Sequence, residues 1–311
     1  MTHKYSRTRL AAAIGAAGLA SGVLAGGAIA DGDAAMIFQG IPPFSITAGD
    51  ATLFTDATFI DEAYKYSWHY RTAGNNTNRP FSSLDTPTES YRENEATFVW
   101  TNAGPGPAGQ ERFDAKLIVR LLDGPSPHQV RVEHTLEFKS HSDTTQTFQV
   151  FNLVDMDIEA TPTNDTVLIA DAARVLARHR DAATNAISEI VGTGASRFEV
   201  GTGASLRNKL NSGSANLSNA VGPVNGDVGA AFQWTLTLAP GETRIIRGGF
   251  TINMNGPCPA DFNHDGFVNG DDFDLFASAF ESGASAADFN RDGFVNGDDF
   301  DAFASYFEGG C

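Results

Sequence analysis

Between about residue 34 and residue 254 the hydrophobic positions recur with a period of two. "YKYSWHY" (64–70) sets Tyr64, Tyr66, Trp68 and Tyr70 against Lys65, Ser67 and His69. "QVRVEHTLEFK" (129–139) puts Val130, Val132, His134, Leu136 and Phe138 on one face, and "FQWTLTL" (232–238) does the same with Phe232, Trp234, Leu236 and Leu238. Such alternation marks half-buried antiparallel strands. "FVW", "KLIVRLL", "FQVFNLV" and "TVLIA" add strands, with loops rich in Gly, Pro, Asn and Asp between them. Pro240-Gly241 supplies a turn before "TRIIRGGFTI", which predicts a closing hairpin. The Ala-rich stretch 170–190 fits strands or a short helix. The pattern as a whole predicts a mainly β body over residues 31–254, an antiparallel β-sandwich.

The pattern changes after "NMNGPCPA" (253–260), whose residues 255–260 read as a linker. Phe273, Phe276 and Phe280 recur at i, i+3 and i+7, and Phe300, Phe303 and Phe307 repeat the stripe. That spacing is helical. Residues 261–283 and 288–310 are identical at 19 of 23 positions, offset by 27 residues. A small α-helical domain built from two repeats is therefore expected over residues 261–311.

Composition refines this picture. A chain of 311 residues holds one sizeable domain and a small one. The formal charge is -17, and from Cys258 onward ten Asp, two Glu and one Arg give -11. That balance argues against nucleic acid and anionic membrane surfaces, which need basic patches, and in favour of cations. At the other end, Lys4, Arg7 and Arg9 precede the small-residue apolar run "LAAAIGAAGLASGVLAGGAIA". Ala28-Ile29-Ala30 before Asp31 fits an A-x-A cleavage signal, so residues 1–30 read as a signal peptide removed after Ala30. The competing reading is a retained anchor. No other segment has spanning length, so the mature chain is expected to be exported without a transmembrane span.

Each repeat follows D-x-N-x-D-G-x-x-N-x-x-D, the spacing of a calcium loop. A hard cation of this size takes six to eight oxygens, which a tight loop offers from positions 1, 3, 5, 7, 9 and 12. The first loop would use the side chains of Asp261, Asn263, Asp265, Asn269 and Asp272 with the carbonyl of Phe267. The second would use Asp288, Asn290, Asp292, Asn296 and Asp299 with the carbonyl of Phe294. Gly266 and Gly293 permit the sharp turns. Two Ca2+ ions are expected. Asp271 and Asp272 suit a helix start, and Gly283 a helix end.

With Asp rather than Glu at position 12 and no entering helix, residues 258–311 resemble a type I dockerin. The ending in Gly-Cys is also similar to that of GC-type dockerin domain-anchored bacterial secreted proteins. The resemblance covers about a sixth of the chain and implies attachment to a cohesin-like module on a scaffold or cell surface. Gly270-Asp271 and Gly297-Asp298 stand where dockerins of cellulosomes commonly carry Ser/Thr pairs. Ser278, Ser282, Ser305 and Gly309 stand where basic residues are common.

Cys258 and Cys311 bracket the repeats. In an exported chain such a pair tends to oxidise, and closing a loop of this length is worth roughly 4 kcal/mol in the chain-entropy model. The alternative is a free Cys311 thiol for attachment or dimerisation.

In the body, the aromatic row reads as an inner sandwich face, with a sugar-stacking platform as the alternative. His134 reads as a satisfied core histidine. Asp155, Asp157 and Glu159, with Asp165 nearby, read as a solvated strand end, against a calcium site or a catalytic carboxylate pair. Arg174, Arg178, His179 and Arg180 read as a basic surface patch. No G-x-S-x-G, H-E-x-x-H, P-loop or G-x-G-x-x-G motif is present in a suitable context. The first functional reading is thus a non-catalytic exported sandwich, structural or ligand-binding, displayed by its tail. The second is a carbohydrate-active enzyme delivered to an extracellular complex, with polysaccharide as substrate.

Overall fold

The computed structural model describes residues 25–31, 34–41, 44–54, 65–73, 75–105, 111–123, 129–156, 158, 163–181, 186–253, 259–263, 268–289 and 293–309. Seventeen strands lie among them, in three antiparallel sheets. The smallest contains β1 (Ala25–Asp31), β2 (Ala34–Ile41) and β3 (Phe44–Phe54) in that order. A five-stranded sheet runs from β14 (Arg197–Thr202) through β16 (Val228–Leu238), β10 (Gln146–Asp155) and β4 (Lys65–Thr72) to β5 (Asn75–Pro80). The nine-stranded sheet begins with β15 (Val224–Asn225), β11 (Asp165–Asp171), β12 (Leu176–Asp181), β13 (Ile187–Thr193) and β17 (Thr243–Asn253). It continues with β9 (Gln129–Ser140), β8 (Phe113–Asp123), β7 (Glu95–Ala103) and β6 (Thr88–Arg92). The stretch 170–190 is thus largely strand rather than helix.

The period-two faces meet as expected. Tyr66, Trp68 and Tyr70 of β4 are buried and face the nine-stranded sheet, with Tyr66 6.0 Å from Phe250, Trp68 4.9 Å from His134 and Tyr70 5.2 Å from Phe113. Tyr64 lies outside the described residues. The three-stranded sheet lies against the same partner through Phe38, 5.1 Å from Phe98. Each fully buried ring or branched side chain contributes about 1.5–3 kcal/mol. Tyr66, Trp68 and Tyr70 are core, and they form no sugar platform.

One expected pairing is replaced. β16 and β17 do not form a hairpin: β16 pairs with β10 and β14, whereas β17 pairs with β9 and β13. Residues 239–242 carry the chain across the sandwich edge, with Gly241 at φ +74° and its N–H on the Ser140 carbonyl. The reason is that both strands have one apolar face. Phe232 and Trp234 on β16 and Ile246, Phe250 and Ile252 on β17 are all buried in one core, an arrangement that facing strands satisfy.

His134 is buried as expected but not satisfied. Neither ring nitrogen has a hydrogen-bond partner, and burial pushes its pKa down to about 3. Below the unfolded value near 6.5 the unfolded chain takes up a proton that the folded one refuses, so stability falls as pH drops through that window. At pH 5 the loss is roughly 2 kcal/mol. His134→Leu is expected to remove that acid sensitivity, read by denaturant melts at pH 7 and pH 5; an unchanged pH dependence would contradict it.

The sequence pattern missed one helix, α1 (Gly203–Ser212), which lies on the outer face of the five-stranded sheet. Thr202 caps it by accepting from the Ser205 N–H. Leu206 and Leu210, four apart and therefore on one face, bury against Phe151, Leu153, Leu217 and Ala231 in a core of their own.

The tail has a separate core. α2 (Gly270–Glu281) and α3 (Gly297–Gly309) are joined through a 3-10 turn at Ser285–Ala287. Phe276 stacks on Phe303 with ring centroids 3.9 Å apart and an interplanar angle of 4°. Each repeat also makes the same internal contact: Phe262 to Phe276 and Phe289 to Phe303 both measure 5.6 Å. The cross-contacts are similar, Phe289 to Phe276 at 6.0 Å and Phe262 to Phe303 at 6.4 Å. The two units pair about a pseudo-twofold axis, as two near-identical sequences with one apolar stripe each would require.

Candidate functional site

The two loops of the tail are described in part. Asp261, Asn263, Asn269, Asp272, Asp288, Phe294, Asn296 and Asp299 belong to the described residues; Asp265, Phe267, Asn290 and Asp292 do not, nor do Gly266, Cys258 and Cys311. Asn269 caps α2, its side chain accepting from the Asp271 N–H at 2.8 Å, while Asp272 accepts from the Asn269 N–H at 2.9 Å. The second repeat copies this, with Asn296 accepting from Asp298 at 2.8 Å and Asp299 accepting from the Asn296 N–H at 2.8 Å. This reciprocal cap forms because the helix start leaves backbone donors free and the short Asn and Asp side chains reach them.

The result places both position-12 carboxylates inside. Asp272 and Asp299 are fully buried, although each heads an exposed acidic helix. Asp272 also accepts from the Asn263 N–H across the loop at 3.0 Å. In the second loop, Asp288 accepts from the Gly293 N–H at 2.9 Å, while its other oxygen is buried with no hydrogen-bond partner. Gly293 takes φ +92°, which the turn requires and a side chain would resist. A buried carboxylate oxygen lacking a donor suits a cation. Among the described residues no three His, Cys, Asp or Glu gather closely enough to hold a metal ion by themselves.

In the body the acidic candidates separate. Asp155 is not a solvated strand end: it is fully buried at the end of β10 and ion-paired with Arg207 of α1. Arg207 also lies 3.6 Å from Asp227. A β-carbon on Gly203 would fall within 2.4–2.7 Å of all three side chains, so the helix start lies flush against them. Asp157 and Glu159 lie outside the described residues. Asp165 joins a different group, 3.0 Å from His179 and close to Asp181, all fully buried. Burial raises the Asp165 pKa, with His179 opposing and Asp181 adding to the shift.

A raised carboxyl pKa means stability lost as pH rises through it. Asp165→Asn is expected to flatten that decline on the neutral side, measured by chemical denaturation from pH 4 to 7. His179 itself corrects the reading of a basic surface patch. Strand alternation turns it inward between Arg178, which pairs with Glu189 at 2.5 Å, and the exposed Arg180.

On the outer face of the nine-stranded sheet, a shallow groove of about 200 Å³ is lined by Val99, Thr101, Asp114, Lys116, Glu137 and Lys139, with Thr243 at its edge. Asp114 is fixed by the Asn102 N–H at 2.8 Å and by His141 Nε2 at 2.8 Å. Lys116 and Glu137 face each other across β8 and β9, 3.6 Å apart. These residues occupy the polar half of the alternation. No local motif distinguishes them from other solvent-facing strand positions.

No protein-family model matches the sequence, and no curated protein does. Among solved structures, a bacterial glucoamylase complexed with acarbose aligns over 86% of this chain and 39% of its own, with a TM-score of 0.54 at 8% identity. A galactose mutarotase related enzyme from Lactobacillus acidophilus aligns over 74% of this chain and 98% of its own, with a TM-score of 0.47 at 8% identity. A galactose mutarotase-like protein from Lactobacillus casei covers 75% and 100%, with a TM-score of 0.46 at 7% identity. The likeness to the glucoamylase is one of fold, and this chain spans well under half of that enzyme's length. The body is thus mainly β, with antiparallel sheets layered as a sandwich. Among the described residues no helix is long and apolar enough to cross a membrane.

Proposed function

We propose that this is an exported, carbohydrate-directed protein held on a scaffold or surface by a calcium-folded, dockerin-like tail. The observation that carries the reading is the body's layered fold, shared with a glucoamylase, in one chain with paired loop-helix units whose position-12 carboxylates are buried. That fold favours the carbohydrate-active reading over a purely structural one. The groove on the nine-stranded sheet offers what a sugar ring needs: Asp114 and Glu137 to accept from hydroxyls, Lys116 and Lys139 to donate, and threonine hydroxyls beside them.

In the tail, Asp261, Asn263, Asn269 and Asp272 would hold one ion and Asp288, Phe294, Asn296 and Asp299 the other, together with the remaining loop residues. The ion supplies the positive charge that lets carboxylates gather on one short loop. The protein's part is to cap each helix so that the last carboxylate points into the loop. The partner is a cohesin-like module, reached by a helix face with Gly-Asp pairs at positions 10 and 11.

A panel of polysaccharides tests the body, with binding and released reducing ends both measured on the full chain. Release supports a hydrolase, and binding without release supports a sugar-binding display protein. Asp114→Ala together with Glu137→Ala is expected to lower either signal at least tenfold. Neither binding nor release across the panel would overturn the carbohydrate reading.

A further inference from the structure

Strand β1 covers the residues just before the expected cleavage point, and it is built into the body. It pairs with β2 from Ala25↔Gln39 to Asp31↔Ala34. Ile29 is 1% exposed and belongs to the main core with Met36 and Phe38. The Ala30 N–H donates to the Glu93 carbonyl at 2.9 Å, which ties β1 to the turn between β6 and β7. At Gly27 the strand lies flush on the Tyr91 ring: a β-carbon there would stand 2.3–2.5 Å from three ring atoms. Tyr91 is itself held by donating to Glu89 at 2.6 Å. Cutting after Ala30 would leave only Asp31 of this strand. The β2 edge and the Tyr91 ring would be uncovered, and an open apolar edge is a pairing hazard that proteins avoid.

The leader offers an earlier site. After the basic start, Leu10–Ala20 is an apolar run of eleven residues, within the length of about 7–15 usual for the core of a signal peptide. The next residues place Ala20 and Gly22 at the small positions a signal peptidase reads, three and one before the cut. Extending the leader to Ala30 gives a run nearly twice as long.

We propose that the leader is removed after Gly22, or at the latest after Ala25, so that β1 stays in the mature chain as a structural strand. This rests on the reading of the chain as exported. The assignment makes β1, less at most its first residue, a fixed part of the sandwich.

The precursor, produced with its own leader in an exporting bacterial host, is recovered from outside the cytoplasm for intact mass and N-terminal sequencing. A start at Val23, or anywhere up to Gly26, is expected. A start at Gly27 or beyond, including Asp31, overturns the proposal and leaves the export reading intact. A retained Met1 overturns both. Ile29→Asp in the precursor supplies an independent readout, because it changes neither small residue of the Ala28/Ala30 pair. With β1 retained, the variant should melt about 5–10 °C lower than the parent. With β1 removed, the two exported proteins would be the same molecule and would melt together, which overturns the proposal.

Discussion

Titrated with calcium after chelation, the full chain is expected to take up two ions, and Asp265→Ala or Asp292→Ala should each reduce this to one. The carboxylates of each loop, three by sequence, repel one another when gathered without a cation. Asp272 and Asp299 are fully buried and one oxygen of Asp288 is buried without a hydrogen-bond partner, so acidic groups are gathered at the loop ends. Folding of α2 and α3 should therefore be linked to the ion. Because the two helices share one core through the Phe276–Phe303 stack, loss of either ion should loosen both repeats. Isothermal calorimetry reads the stoichiometry. Absence of uptake at millimolar calcium would sink the assignment, and two ions retained in either variant would remove those residues from the loops.

The second large effect is expected from Arg207→Ala in the body. Asp155 is fully buried, and its charge is met by the Arg207 guanidinium. Removing the arginine leaves a buried carboxylate without its cation, which costs about 3–5 kcal/mol. The same change removes one tether between α1 and the end of β10, beside the small core around Leu206 and Leu210. Urea melts of the variant measure the loss. Adding Asp155→Asn should recover a substantial part of it, since the neutral amide no longer requires a cation. If Arg207→Ala were as stable as the parent, or if the double variant were no better than the single, the pair would not hold helix to sheet.

The sequence made the strands legible because each carries one apolar and one polar face. Val130 to Phe138 and Phe232 to Leu238 pack as their alternation predicts. The tail helices were legible for a similar reason, with a Phe stripe, acidic starts and Gly283 at φ +64° as the stop. Which strands pair was not legible. The period-two pattern of β17 is satisfied equally by an adjacent strand or by one across the core, and only the path of residues 239–242 decides.

Buried polar residues were the other blind spot. Asp155 and His179 look like surface residues in a linear reading, yet one is drawn inside by an arginine 52 positions later and the other by the carboxylate of Asp165. Helix α1 lacks a wide apolar stripe and signals itself only through Thr202 and the Leu206/Leu210 pair. The groove at Asp114 and Glu137 arises from the cross-strand register of β8 and β9, which no local motif encodes.

Amide hydrogen exchange on the full chain, with calcium and again after chelation, tests the two-part account most directly. The expected result is that Gly270–Glu281 and Gly297–Gly309 are protected with calcium and exchange freely without it, while the strands of the body keep their protection throughout. Protection of both helices that survives chelation would contradict the account. So would a body that loses its own protection when the calcium is withdrawn.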